Sequence, residues 1–236
     1  MSPSSAAEPL RVMSALIIRG IADSVIAPEF RKGGGDLAFT WDPTVGLMKR
    51  IEAGETADVI FAIDWALDEL ASKGRIDVPS RRPVAQAAVG VAVLQGAPSP
   101  DISTPEALKA TLLATPSLVY SRSGASGIYF EKLIDRLGIG EAIRAKATVI
   151  QAGLTAEKLV TGEVVLAIQQ VSELLAVPGV ALVGAMPAEL DATTDFSAAV
   201  FTDARDAAAA RRFIDVLLSP AARQSYVRTG LKPFFD

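Results

Sequence analysis

Strand-like and helix-like segments alternate from the start of the chain, and that order restricts the fold more than any other feature. LRVMSAL at 10–16 reads as a short buried strand. GIADSVIAPEF at 20–30 places Ile21, Val25 and Ile26 on one helical face, and KGGG at 32–35 ends that helix. Residues 37–41 alternate like a strand, 45–53 read as a helix closed by Gly54, 59–63 as a strand, and 65–72 as a helix closed by Gly74. A βαβαβα order predicts a mainly parallel sheet covered by helices.

The same alternation continues. Residues 84–94 form a long apolar strand with a glycine inside it. Thr104-Pro105-Glu106 is a helix start: a capping hydroxyl, proline at the first helical position, then an acid. Strands are expected at 117–121, 147–151, 164–169, 182–183 and 198–201, and the chain ends in helices over 207–227. This gives roughly ten strands in two α/β groups. The longest loop, QGAPSPDISTP at 95–105, is short, and no linker separates the groups. The expected organisation is two lobes between which the chain crosses more than once: residues 1–84 with 194–236, and residues 85–193.

Composition excludes several chemistries. The chain has 236 residues, no cysteine and no histidine. Disulfides, thiolate nucleophiles, Cys/His zinc sites and a Ser-His-Asp triad are therefore ruled out, and no metal or cofactor is expected. The formal net charge of −4 offers nothing to nucleic acid or an anionic membrane. No apolar run approaches the roughly 20 residues that span a bilayer, so membrane insertion is not expected. The start, MSPSSAAEPLRVMSA, lacks a basic segment followed by an apolar one and is not a secretory leader as written.

Strand, Gly/Ser loop and helix meet at SRSGASGIYF, residues 121–130. The first N–H groups of a helix lack intrahelical partners and carry partial positive charge, which suits an anion. Gly124 and Gly127 allow close approach of the backbone. Ser123 and Ser126 offer hydroxyls, Ala125 lies between them, and Arg122 can add charge. The plainer alternative is an ordinary turn with Ser126 as helix cap. The GKS or GKT ending of a nucleotide phosphate loop is missing, which argues against ATP or GTP.

Other candidates each have a plain counterpart. Asp42-Pro43-Thr44 precedes a helix and presents N–H groups and the Thr44 hydroxyl; Thr44 also serves as a simple cap. Arg19, in the first strand-to-helix connection, can pair with a carboxylate or sit in solvent. Ile17 and Ile18 beside it would make an apolar wall suited to an organic anion. Gln169 and Gln170 end a buried strand, where amides commonly face a ligand crevice, or cap neighbouring loops. Ile63-Asp64-Trp65 ends another strand, with Trp65 read as helix packing. Tyr129 reads as core or crevice. Glu131, Asp135 and Arg136 read as a solvated helix face without a role.

IEAGETADVIFAID at 51–64, SGASGIYF at 123–130 and LAIQQVSELL at 166–175 resemble the molybdate-binding protein family, the type II periplasmic solute-binding proteins of ABC transporters. The resemblance runs from about residue 10 to residue 230. It implies two α/β lobes joined by crossing strands, a ligand cleft between them, and hinge closure on binding. By position it implies ligand contacts at Thr44, where the family has a serine, at the Ile63 backbone, and near Gly153. The family's other first-lobe serine falls near Ile17, and its ligand-binding tyrosine falls at Gln170.

These departures point away from molybdate and toward a small organic anion anchored by Arg19 and the 123–127 loop. The expected function is a non-enzymatic solute-binding protein for a molybdate-like oxyanion or a small carboxylate. It would act as a monomer that delivers its ligand to an ABC transporter permease if exported. The expected location is the periplasm if a leader has been removed, and the cytoplasm if the chain as written is complete. The alternative is a cytosolic ligand-sensing domain of the same fold. An enzyme has little support, because no paired carboxylates stand out.

Overall fold

The computed structural model describes residues 8–236. Residues 1–7, which hold most of the serine-rich start read above for a leader, lie outside the described residues.

The first lobe opens with β1 (Leu10–Ser14), followed by a 3-10 turn at Leu16–Ile18. One helical run then comprises α1 (Arg19–Ile21), a π-wound stretch at Ala22–Ile26, and α2 (Ala27–Lys32). β2 (Leu37–Trp41), α3 (Thr44–Glu52), β3 (Val59–Ile63) and α4 (Asp64–Ser72) follow. β1 lies between β2 and β3 and pairs with both in parallel, as the alternation predicts. In a parallel arrangement the carboxyl ends of the strands share one edge of the sheet, and the helices that follow start there.

The second lobe repeats the scheme. β4 (Arg82–Leu94) enters it, and α5 (Pro105–Ala114) starts as expected, with the Thr104 hydroxyl accepting from the Ala107 N–H at 3.1 Å. β5 (Leu118–Ser121), α6 (Ala125–Arg136), α7 (Gly140–Arg144), β6 (Ala147–Ile150), α8 (Glu157–Val160), β7 (Leu166–Gln170), α9 (Val171–Leu174) and β8 (Val180–Ala185) follow. β5 pairs in parallel with β6 and β7. The chain returns through β9 (Thr193–Val200), then α10 (Ala207–Leu217), α11 (Pro220–Arg228) and β10 (Leu231–Pro233).

The crossing strands add antiparallel pairing to the expected parallel sheets. β9 pairs antiparallel with β3 and with the first part of β4; β10 also pairs with β4. The second part of β4 pairs antiparallel with β7 and β8. A strand that leaves one sheet and returns from the other must run against its neighbours, so antiparallel pairing marks the crossing. The buried side chains divide accordingly. Val12, Phe30, Phe61, Phe196, Phe213 and Tyr226 belong to a core on one side of the crossing. Val89, Tyr120, Phe130, Leu133 and Ile168 belong to a core on the other. Each such side chain contributes about 1.5–3 kcal/mol when fully buried.

Candidate functional site

Two groups of strand ends face each other across the gap between these cores. Thr44, Ile63, Gly124, Ala125, Gln170 and Glu173 line one small inner cavity, closed behind by Ala15, Leu16, Pro43 and Phe196. An outer cavity of about 290 Å³ adjoins it through Ile63 and Ala125. Val45, Trp65, Ile128 and Tyr129 form most of its wall, and Ser123, Lys132 and Thr194 supply polar groups. A larger cavity of about 470 Å³ lies at the opposite edge of the first sheet, beside Leu10, Asp36 and Asp58. Those residues begin or immediately precede strands, whereas ligands of open α/β folds meet the carboxyl ends, so the gap between the lobes is the candidate site.

Three helices of nine residues or more begin at this gap. α3 starts at Thr44, α4 at Asp64 and α6 at Ala125. Their unpaired N–H groups place partial positive charge around the inner cavity. Thr44 is not the helix cap; Pro43 holds that position. The Thr44 hydroxyl instead accepts from the Ile63 N–H at 3.4 Å, joining the start of α3 to the end of β3. In the 121–130 loop the cap is Gly124, with no side-chain bond, and buried Ser126 is the second residue of α6.

The glycines of that loop have a reason within the chain itself. A Cβ at Gly127 would lie 1.6 Å from the Ser121 carbonyl oxygen, and one at Gly124 would lie 2.5 Å from the Ser121 hydroxyl. These contacts, rather than a ligand alone, require residues without side chains, and they set α6 tightly on the end of β5. Ser123 donates to the Gln151 carbonyl at 2.5 Å, which fastens the loop to the end of β6.

Among the described residues, four buried side-chain atoms lack a hydrogen-bond partner: Ser121 Oγ, Gln170 Oε1, Ser172 Oγ and Arg212 Nε. Three of the four sit on strand ends or the helix start at the gap, where a buried acceptor or hydroxyl without a partner costs stability. Gln170 is 1 % exposed, and its amide nitrogen reaches only Thr194, at 3.5 Å. Gln169, by contrast, is fully used. Its oxygen accepts from the Thr155 N–H at 2.7 Å, and its nitrogen donates to the Gly153 carbonyl at 2.9 Å. Gly153 thus belongs to a loop held by Gln169 and is not part of either cavity lining. Arg19 is exposed and lies outside both linings as well. Ile17 and Ile18 are buried in the first core; the apolar wall is made instead by Ala15, Leu16, Ile63 and Phe196.

Trp65, Lys132 and Glu173 are lining residues that the sequence reading does not place in the site. Trp65 is 45 % exposed and lines the outer cavity rather than packing its helix. Lys132 lies on the helix face read as solvated. Arg144 takes its neighbours Glu131 and Asp135 in ion pairs, and Lys132 forms none among the described residues. Glu173 was hidden in the helical run VSELL. It lines the inner cavity at 7 % exposure, and burial pushes its carboxyl up to about 8, opposed by the Gln170 backbone N–H and the Gln169 side chain. Tyr129 is both packing and lining: its hydroxyl donates to the Leu190 carbonyl at 2.6 Å. No group of three or more acidic residues among the described ones is placed to hold a metal ion, and no helix among them is long and apolar enough to cross a membrane.

Two α/β lobes, strands crossing between them, and helix N-termini converging on the gap define the type II periplasmic-binding-protein fold. The chain belongs to the bacterial extracellular solute-binding protein family, whose model matches residues 10–232. It is 34% identical over 241 aligned positions to a protein named aconitate isomerase from Pseudomonas sp., covering 98% of this chain and 92% of that one. Among solved structures, the Azotobacter vinelandii periplasmic molybdate-binding protein matches with a TM-score of 0.78 at 17% identity, over 94% of this chain and 98% of that one. The Mycobacterium tuberculosis sulfate-binding protein matches at 0.74 and 14% identity, over 96% of this chain and 87% of that one. At these identities the structural matches establish the fold.

Proposed function

We propose that this chain captures a small organic polycarboxylate, of the class to which aconitate belongs, between its two lobes. The observation that carries this reading is the outer cavity: Val45, Ile63, Trp65 and Ile128 wall it with apolar surface, and Lys132 brings a cation without a partner carboxylate among the described residues. A small hydrated oxyanion is best held by a shell of donors on every side. An apolar wall facing a cation suits a carbon skeleton that carries carboxylates. The helix starts at Thr44 and Ala125 supply N–H groups for further carboxylate oxygens. The 34% identical relative named for aconitate supports the same ligand class. Membership of the solute-binding family supports delivery of the ligand to an ABC transporter permease.

The inner cavity is about 20 Å³, little more than one water-sized sphere, so a six-carbon acid enters only when the lobes part. Binding is therefore coupled to hinge movement at the β4 and β9 crossings. A thermal-shift screen tests the ligand class, with molybdate, tungstate, sulfate and phosphate set beside mono-, di- and tricarboxylates. A ligand at 100 times its Kd stabilises the fold by about 2.7 kcal/mol. The expected outcome is a shift with tricarboxylates; a shift with molybdate or tungstate alone contradicts the proposal.

A second reading, an isomerase, is favoured by the name of that relative and by a buried carboxylate at the floor of the cleft.

A further inference from the structure

We propose that Glu173 is the base that moves a proton along the allylic carbons of an unsaturated polycarboxylate bound in this cleft. The inference rests on the proposed function and adds a reaction to it. Glu173 is the one titratable side chain lining the inner cavity, and it makes no ion pair among the described residues. Gln170 Oε1 and Ser172 Oγ, close to it in the chain, are buried without partners. The starts of α3 and α6 line the same space through Thr44, Gly124 and Ala125. A general base, the unpartnered amide oxygen of Gln170 and helix N-termini thus line one cavity, where N–H groups can stabilise charge that develops on a carboxylate-substituted carbon.

The step balances without a co-reactant. The ionised Glu173 carboxylate takes a proton from the methylene carbon next to a ligand carboxylate. The C–H electron pair forms a new C=C bond, and the π pair of the original double bond moves to the far carbon. That carbon takes a proton from the Glu173 carboxyl, which returns to its ionised state. The double bond and one proton exchange ends of a three-carbon unit, so cis and trans forms of such an acid interconvert with nothing oxidised or reduced. Burial of Glu173 supports the role, since a carboxylate with a raised pKa is a stronger base than a solvated one.

A purely structural role also exists. Glu173 is the third residue of α9, and the Gln170 N–H at the helix cap bonds back to it, which is half of a capping box. Glutamine fills that position in capping boxes as well, so Glu173→Gln preserves the cap and removes the base. The experiment uses the full chain and cis-aconitate as probe. Binding is read by isothermal titration, and conversion by proton NMR in D₂O. Wild type is expected to bind the acid, convert it to the trans form and place deuterium on its methylene carbon. E173Q is expected to bind it and convert it at least about 100-fold more slowly. Should E173Q fail to fold, E173D, which keeps the acid on a shorter stem, is expected to bind the acid as wild type does and to convert it at least about tenfold more slowly; an E173D rate equal to wild type overturns the assignment. Wild-type binding without conversion or deuterium exchange overturns the inference and leaves the binding proposal standing. An E173Q rate equal to wild type assigns Glu173 to the cap alone. Failure of wild type to bind any tricarboxylate removes the proposed function and this inference together.

Discussion

Two buried carboxylates, one at the amino edge of the first sheet and one in the gap between the lobes, meet opposite environments. Asp58 precedes β3 at the amino edge of the first sheet. Arg11 donates to it from its backbone N–H at 2.8 Å and from its guanidinium at 3.0 Å, and the Arg205 N–H donates at 2.8 Å. Burial alone would raise the Asp58 carboxyl, but these bonds outweigh it and hold the group down at about 2. Glu173, at the carboxyl edge, has no cation beside it, and burial leaves it at about 8. Both side chains are largely withdrawn from solvent, and it is their unequal satisfaction by the chain's own donors that separates structure from function here. A carboxylate whose bonds are completed by its own chain holds the fold together, whereas one with open bonding capacity beside a cavity is poised for a ligand.

The sharpest way to break this comparison is to remove Asp58. Asp58→Ala leaves the Arg11 and Arg205 backbone N–H groups without an acceptor and the partly buried Arg11 guanidinium without its carboxylate. It is expected to cost about 3 kcal/mol or more, read by urea denaturation. A loss below 1 kcal/mol would show that the amino edge is no more committed to structure than the cleft. Gly127→Ala comes next. Its Cβ would collide with the Ser121 carbonyl, so α6 must shift, with an expected cost of about 2–3 kcal/mol and weaker ligand binding.

The pH dependence of stability sharpens the contrast, because the two carboxyls act with opposite sign. Glu173 holds its proton in the folded state up to about pH 8, whereas an unfolded Glu loses it near 4.5. Its contribution is fully present below pH 4.5 and is lost as pH rises toward 8. Asp58 contributes above pH 4 and loses that contribution as pH falls toward 2. Melting curves from pH 5 to 8 are therefore expected to fall more steeply for wild type than for Glu173→Gln. Parallel curves would mean that Glu173 is solvated in the folded protein.

Smaller effects belong to the exposed cations. Lys132→Ala is expected to leave the melting temperature unchanged and to weaken polycarboxylate binding about tenfold, the worth of one charge-assisted hydrogen bond. Arg19→Ala, outside both cavity linings, is expected to change affinity less than Lys132→Ala does. The reverse order in a titration series would restore Arg19 as the anchor read from sequence.

Much of this fold is legible in the sequence, for identifiable reasons. β2 and β3 match their expected ranges, because short apolar runs between glycine and proline signals leave little choice. β10 was not found: Leu231–Pro233 is three residues long and holds a proline, so it has no pattern to show. The antiparallel sense of the crossing strands was hidden because a period of two looks the same in either direction. Thr44, Ile63 and the 123–125 loop line the cavities and are legible as strand ends followed by helices, because local order fixes them. Glu173 and Lys132 were missed. Both lie in helical segments whose local pattern is ordinary; one becomes special by the packing of the two lobes, the other by the pairing of its neighbours with Arg144.

The central claim is that the gap between the lobes receives an organic polycarboxylate. Isothermal titration of the full chain with cis-aconitate, and separately with molybdate, tests it most directly. The account predicts saturable one-to-one binding of the tricarboxylate, weakened in Lys132→Ala, and no heat with molybdate. Tight binding of molybdate, unaffected by Lys132→Ala and without response to the tricarboxylate, would contradict it.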